Sequence, residues 1–202
     1  SVALSLMRLL PNNAEYVSGE IRLNGEDLLQ LNSEEMRQRR WKEIAMVFQG
    51  AMNSWNPVYR IGDQIRETLD IHYRGVMDFD EQNAHMERLF TSVGLPPEML
   101  NRYPHEFSGG MRQRAVIAMA LACSPELIIA DEPTTALDVI VQDQILKELK
   151  RIQAEMGMSI IYISHDIAVI AEVTDSLGVM YAGKLVEYGP TTEVFARPKH
   201  PY

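Results

Sequence analysis

The sequence predicts an α/β fold, in which a parallel sheet core is interrupted by an inserted helical subdomain. From residue 124 onward, short apolar strands alternate with amphipathic helices, which is typical of a parallel sheet covered by helices. Between residues 51 and 123 the apolar residues recur at helical spacing. We therefore expect one domain over 1–202, with 1–50 and 124–202 forming the α/β core and 51–123 forming the helical subdomain.

The first fifty residues predict two helices and two strands. Pro11 ends the first helix, because proline cannot continue a helical hydrogen-bond pattern. Asn24-Gly25 favours a tight hairpin turn, and Ser33 resembles a helix N-cap. The predicted elements are a helix at 2–10, a strand at 20–23, a polar helix at 33–42 and a strand at 44–48.

The middle of the chain predicts a loop followed by helices. Gly50, Asn53, Asn56 and Pro57 are turn formers, so 49–59 reads as a loop. Helical spacing follows at 61–72, 81–93 and 108–123, with a break at Pro96-Pro97.

The last eighty residues predict the remaining sheet. Apolar strands at 127–130 and 158–163 are each followed by a helix, the first at 139–156. A hairpin around Ala182-Gly183 and a closing helix at 191–196 complete the pattern.

Composition narrows the possible functions. The net charge of −9 argues against a nucleic-acid binder, which usually shows a basic face. The single cysteine, Cys123, excludes an internal disulfide and is expected to be a small buried apolar residue. No stretch approaches the roughly 20 apolar residues of a membrane span. We expect any contact with a membrane to go through a partner.

The strongest chemical signal is an apolar strand that ends in Asp131-Glu132. Open α/β sheets bind ligands at the carboxyl ends of their strands. There Asp131 can hold Mg²⁺, usually through water, and Glu132 can orient or deprotonate an attacking water. Taken alone, the pair could equally end in a solvated turn.

A second signal is Ser108-Gly109-Gly110 at the start of a predicted helix. Backbone N–H groups at a helix start, together with the helix dipole, favour an anion, and two glycines let a phosphate approach the main chain. Alone, these three residues read as an ordinary helix cap. His165 leaves the neighbouring parallel strand and could reach the same sheet edge, although lone histidines are usually structural.

Taken together, these segments resemble the motifs of ABC ATPases, in the order and spacing of that family. Five segments carry the resemblance: the signature motif at 107–114, Walker B at 127–132, the D-loop at 135–138, the Q-loop glutamine Gln49 and the switch histidine His165. The resemblance implies a P-loop NTPase-like parallel sheet with an inserted helical subdomain.

The resemblance also implies roles for single residues. Glu132, His165 and Gln49 would be catalytic, and Asp131 with Gln49 would hold Mg²⁺. Two subunits would sandwich two ATP molecules. Each signature segment and D-loop would then contact ATP across the dimer, through Ser108, Gly109, Gly110 and Asp138.

Longer strings are similar to the oligopeptide, dipeptide and nickel importer ATPases: 47–64, 180–194 and 197–202. They imply an ATP-hydrolysing subunit at the cytoplasmic face of the cell membrane, paired with a second ATPase and docked on integral-membrane permease subunits. The segment 49–60 is expected to face the permease, with Trp55 and Tyr59 both exposed. Trp55 is read either as an interface anchor or as a packed loop aromatic. The alternatives are a non-transport ABC ATPase of DNA repair, chromosome maintenance or translation, and an inert fragment.

One family motif is missing from the sequence. No Gly-x-x-x-x-Gly-Lys string followed by Ser or Thr occurs, although this P-loop normally holds the phosphates. Gly183-Lys184 is followed by Leu185 in a predicted hairpin and is no substitute. By the family register Ser1 lies one residue past the Mg²⁺-binding Ser or Thr, or is that residue itself. We expect a chain that starts after the P-loop and is inactive alone.

Overall fold

The computed structural model describes residues 2–135 and 137–202 in two compact units, 1–163 and 164–202. Ser1 and Ala136 lie outside the described residues. The possible Mg²⁺ role of Ser1 and one position of the predicted D-loop therefore fall outside the structural account.

The first unit opens with α1 (Val2–Leu6), the hairpin strands β1 (Arg22–Leu23) and β2 (Glu26–Asp27), and α2 (Ser33–Arg39). The hairpin confirms the Asn24-Gly25 turn: both residues have positive φ, +52° and +84°. The predicted N-cap of α2 was one residue late. Asn32 is the cap, and its side chain accepts the N–H groups of Glu34 and Glu35.

A three-stranded parallel sheet forms the centre of this unit, as predicted. Its strands are β3 (Ile44–Val47), β4 (Leu127–Asp131) and β5 (Ser159–Ile163), in the order β3-β4-β5. Val47 pairs with Ala130, and Asp131 pairs with Ile163, so the three strands end at one edge. Strand β4 lies between the other two, which explains its uninterrupted apolar sequence.

Between residues 51 and 123 the described elements are all helical. The main helices are α3 (Ile61–His72), α4 (Phe79–Ser92) and α5 (Gly109–Leu121), joined by short 3₁₀ helices. Asp78 and Glu81 form a capping box at the start of α4, which moves its N-terminus two residues ahead of the prediction. The division into core and helical subdomain remains a prediction.

Two apolar clusters hold the first unit together. The larger joins the sheet to α3, α4, α5 and the long helix α6 (Val139–Met156), and it includes Phe90, Leu121 and Ile128. Cys123 lies in this cluster with 2% exposure, as predicted. The smaller packs α1 and α2 on the other side of the sheet through Ala3, Met36 and Ile129.

The second unit contains α7 (Ile167–Val173), the antiparallel strands β6 (Ser176–Tyr181) and β7 (Lys184–Pro190), and α8 (Thr191–Ala196). The turn between the strands has positive φ at Ala182 and Gly183. Gly183-Lys184 therefore lies in a β-hairpin, as predicted. No helix in the described part of the chain is long and apolar enough to cross a membrane.

Candidate functional site

The carboxyl edge of the sheet carries Asp131 and Glu132, as predicted. Asp131 is the last residue of β4, and the Glu132 N–H donates to the Ile163 carbonyl at 2.9 Å. Both side chains are half-buried. The edge therefore presents two adjacent carboxylates that solvent can still reach.

Glu132 has an unusual backbone conformation. Its φ is +52°, in the left-handed region that residues with a Cβ seldom adopt. The Thr135 hydroxyl donates to the Glu132 carboxylate at 2.8 Å, and the Thr135 N–H donates to the Glu132 carbonyl at 3.3 Å. Such strain persists only where surrounding contacts hold it, and it concentrates at functional sites. No local sequence pattern marks Thr135 as the residue that orients Glu132.

Gln49 follows the neighbouring strand. It is exposed and lies two residues past Val47, which pairs with Ala130 of β4. The parallel register thus brings the chain carrying Gln49 to the same sheet edge as Asp131. Gly50, at φ +69°, turns the chain immediately afterwards.

The segment Ser108-Gly109-Gly110 forms the start of α5. Ser108 is the N-cap, and its hydroxyl accepts the Met111 N–H at 3.2 Å. The N–H groups of the first helical turn have no partner within the helix. In this 13-residue helix they sit at the positive end of the dipole. The segment starts a helix, as predicted, and anion binding there remains a prediction.

The same segment packs against the start of α6. A Cβ on Gly110 would lie 2.7 Å from a Val141 methyl carbon, whereas one on Gly109 would lie 3.6 Å from Leu137. Asp138 caps α6 by accepting the Val141 N–H at 3.0 Å. Gly110 is therefore also required for packing within the chain, a role that the sequence analysis did not foresee.

His165 lies in the second unit, two residues past the end of β5, and is exposed. The Ser164 hydroxyl accepts the Asp166 N–H at 3.1 Å, and Asp166 caps α7. These contacts define the local turn that carries the imidazole.

The loop after Gln49 contains one buried aromatic residue, Trp55, and one exposed aromatic residue, Tyr59. Trp55 is 7% exposed and belongs to the larger apolar cluster, so the expectation that it is exposed was wrong, and it is the packed loop aromatic. Its indole N–H is buried without a partner in the described structure. Val58 and Tyr59 are exposed, at 72% and 56%.

The donor set at the sheet edge fits a hydrated cation better than a cage of protein ligands. Within the described ranges, no group of three or more His, Cys, Asp or Glu side chains could hold a metal ion. Mg²⁺ commonly keeps several waters and uses one or two carboxylates plus substrate phosphates. Asp131 fits that mode.

Comparison with known proteins decides the family. The profile of the family described as ABC transporter matches residues 5–135. The chain belongs to the ABC transporter family.

Similar family members have names that refer to peptide transport. The chain is 50% identical over 202 residues to a probable peptide ABC transporter ATP-binding protein of Sinorhizobium fredii, covering 99% of the chain and 60% of that protein. It is 47% identical to an oligopeptide transport ATP-binding protein of Bacillus subtilis, covering 98% of the chain and 56% of that protein. The chain thus spans about 60% of the length of such relatives.

Solved structures agree with the ABC ATPase fold. A dimeric ATP-binding cassette bound to ADP and Pi in a post-hydrolysis state is 28% identical, with a TM-score of 0.76 over 87% of the chain and 74% of that structure. An ABC transporter component of Clostridium perfringens at 24% identity supports the fold alone, with a TM-score of 0.81 over 96% of the chain and 73% of that structure.

Proposed function

We propose that this ABC protein is the ATP-binding and ATP-hydrolysing subunit of an importer for peptides. The observation that carries the proposal is the convergence of Asp131, Glu132 and the Gln49 segment at one carboxyl edge of a parallel sheet. The names of the similar proteins support both the ATP-binding role and the peptide class.

In this proposal the two carboxylates have separate tasks. Asp131 would hold hydrated Mg²⁺, and this ion would supply positive charge that offsets the charge on the phosphates of ATP. Glu132 orients and deprotonates the attacking water, and the Thr135 hydroxyl keeps its carboxylate in place. Gln49 would help to hold the Mg²⁺ and to sense the γ-phosphate, and His165 would also sense the γ-phosphate.

The α5 N-terminus serves the ATP of a second subunit. Ser108, Gly109 and Gly110 start a helix whose first N–H groups suit the phosphates. Asp138 contacts the nucleotide across the same dimer. The dimeric cassettes among similar structures support this pairing.

Closure of two such subunits would drive a permease in the membrane, at its cytoplasmic face. The exposed residues Val58 and Tyr59 support a partner-facing role for the segment after Gln49. We propose peptides as the cargo class. Nickel is the second candidate, from the similarity of the Q-loop and C-terminal strings to nickel importer ATPases.

The test uses the full-length protein reconstituted with its permease in proteoliposomes. Peptides should stimulate ATP hydrolysis, while nickel should leave it unchanged. Glu132→Gln should lower turnover by about 10²–10⁴-fold, because glutamine keeps the shape and loses the base. ATP-dependent pairing of the subunits should survive the change. Wild-type turnover in the variant would contradict the role of Glu132, and stimulation by nickel alone would contradict the cargo class.

A further inference from the structure

A concave pocket of about 450 Å³ lies in the first unit, beside α2 and the C-terminal end of α3. Its volume falls in the range of small-molecule sites. None of its lining residues belongs to the candidate ATP site. They are Glu35, Arg37, Gln38, Arg39, Lys42, Glu43, Ile71 and His72.

The carboxylates of this pocket are already engaged. Glu35 accepts the Asn32 N–H at 2.7 Å as part of the α2 capping box. Glu43 pairs with Arg39, which also pairs with Glu26. These interactions use part of the acceptor capacity of both carboxylates, and the Arg39 guanidinium offsets the charge of Glu43.

The cations, in contrast, keep unused donors. Arg37 donates two N–H groups to Glu34, and each guanidinium has five in all. Lys42 makes no ion pair within the described residues; its ammonium lies 5.4 Å from the ring centre of Tyr73. A charged group without a carboxylate partner, next to a cavity, is available to a ligand.

The pKa of His72 reflects the charges around the pocket. Burial lowers its pKa first, and the charges of Lys42 and Arg37 lower it further. The half-buried imidazole therefore stands in a positive environment, although the whole chain carries a net charge of −9.

The backbone holds Lys42 at the pocket by a strained turn. Trp41 has φ +71°, a conformation that bulky residues rarely adopt, and its N–H donates to the Ile44 carbonyl at 2.9 Å. The Glu43 N–H donates to the Arg39 carbonyl at 2.8 Å. Strain of this kind persists where the surroundings enforce it and often accompanies ligand sites.

We propose that this pocket binds a small anion through a phosphate group, as a second ligand site separate from the ATP site. Lys42 supplies the unpaired charge, and Arg37 and Arg39 supply N–H donors. The Gln38 amide and the imidazole of His72 complete the polar wall. The group belongs either to a soluble phosphorylated molecule or to a lipid headgroup.

The test follows histidine resonances by NMR in the full-length protein, labelled on histidine and titrated with sodium phosphate at fixed pH and fixed ionic strength. The His72 resonance, assigned with His72→Gln, should shift in a saturable way. Lys42→Gln should weaken that response by about 10-fold or more, because a charge-assisted contact is lost. Lys147→Gln makes the same charge change on α6, outside the pocket, and should leave the response unchanged.

Flotation with vesicles of phosphatidylglycerol and phosphatidylcholine distinguishes the two sources. The site is assigned to a lipid headgroup if the protein binds vesicles, Lys42→Gln removes that binding, and free phosphate does not shift the His72 resonance. A saturable response to free phosphate without flotation assigns it to a soluble ligand. If neither occurs, or if both lysine variants behave alike, the proposal is wrong. Thermal melting of each variant checks that Lys42→Gln still folds.

Discussion

Single residues at the sheet edge combine reactivity with backbone constraint. Glu132 stands in a left-handed conformation, and its carboxylate accepts a hydrogen bond from the Thr135 side chain. Adopting this conformation costs free energy, which the neighbouring contacts offset. The Thr135 hydroxyl thus orients the proposed catalytic carboxylate.

Gly110 offers a residue-scale test that separates packing from nucleotide contact. Gly110→Ala should destabilise the fold by roughly 1–3 kcal/mol, because the new methyl would meet the Val141 side chain at 2.7 Å. Valine in a helix has one preferred rotamer and cannot swing away. Urea unfolding of the full-length variants measures the effect.

Two matched variants sharpen that test. Gly109→Ala places its methyl at an ordinary 3.6 Å from Leu137 and should cost less. Val141→Ala should recover most of the loss in the Gly110→Ala background, as a double-mutant cycle would show. Equal stabilities of the two alanine variants would contradict the packing role of Gly110.

Among the elements, α2 shows how a cap sets a helix start. Asn32 accepts two backbone N–H groups, and Glu35 reaches back to the Asn32 N–H. Asn32→Ala should therefore lower the free energy of unfolding by about 1 kcal/mol. Ser33 is already inside the helix, so Ser33→Ala should change stability little. Urea denaturation measures both variants. If Ser33→Ala lowered the free energy of unfolding more than Asn32→Ala does, Ser33 would be the N-cap, as predicted from the sequence.

The elements around the sheet also explain why its edge is the candidate site. Strands β3, β4 and β5 run in parallel, so their C-terminal ends meet at one edge, where Asp131 ends β4 and Gln49 follows β3 by two residues. The N-terminus of α5 packs beside the start of α6 through Gly110 and Val141. A change at either helix start is expected to disturb both.

At the scale of the whole molecule, the segment after Gln49 is proposed to face the permease. Cysteines at Val58 and Tyr59 in the full-length protein should form disulfide cross-links with cysteines in a permease cytoplasmic loop, because both side chains are exposed. A cysteine at Glu155 on α6 is the control. Efficient cross-linking from Glu155 alone would contradict this orientation.

The native cysteine does not interfere with that experiment. Cys123 is 2% exposed, and burial raises the pKa of its thiol to about 11. The thiolate is the reactive form, so Cys123 should remain unreactive near neutral pH.

The isolated 202-residue chain is expected neither to bind Mg-ATP well nor to hydrolyse it. Its sequence contains no P-loop string, so the backbone N–H groups and lysine of that motif do not contribute. Each missing charge-assisted hydrogen bond is worth roughly 1.5–3 kcal/mol. Losing several should weaken a micromolar dissociation constant past about 1 mM. Isothermal titration should show this, and low-micromolar binding with phosphate release would contradict it.

The sequence by itself determined the parallel sheet, the bounds of some helices and the residues of the sheet edge, although α1 and α2 end earlier than predicted, at Leu6 and Arg39. Helices α3 and α6 begin and end as predicted, because apolar periodicity and turn residues are local signals. Asp131-Glu132 could be placed at an edge because the carboxyl end of a parallel strand always lies there. Motif order then indicated the family, which the profile match confirmed.

Only the tertiary structure decided features that depend on residues far apart in sequence. Examples are the burial of Trp55, the contact between Gly110 and Val141, and the pocket that joins α2 to the end of α3. The left-handed backbone at Glu132 belongs here too, since Ile163 on β5 holds its N–H. The physical reason is that such contacts form only when separate segments pack, and no local sequence pattern encodes the distance between them.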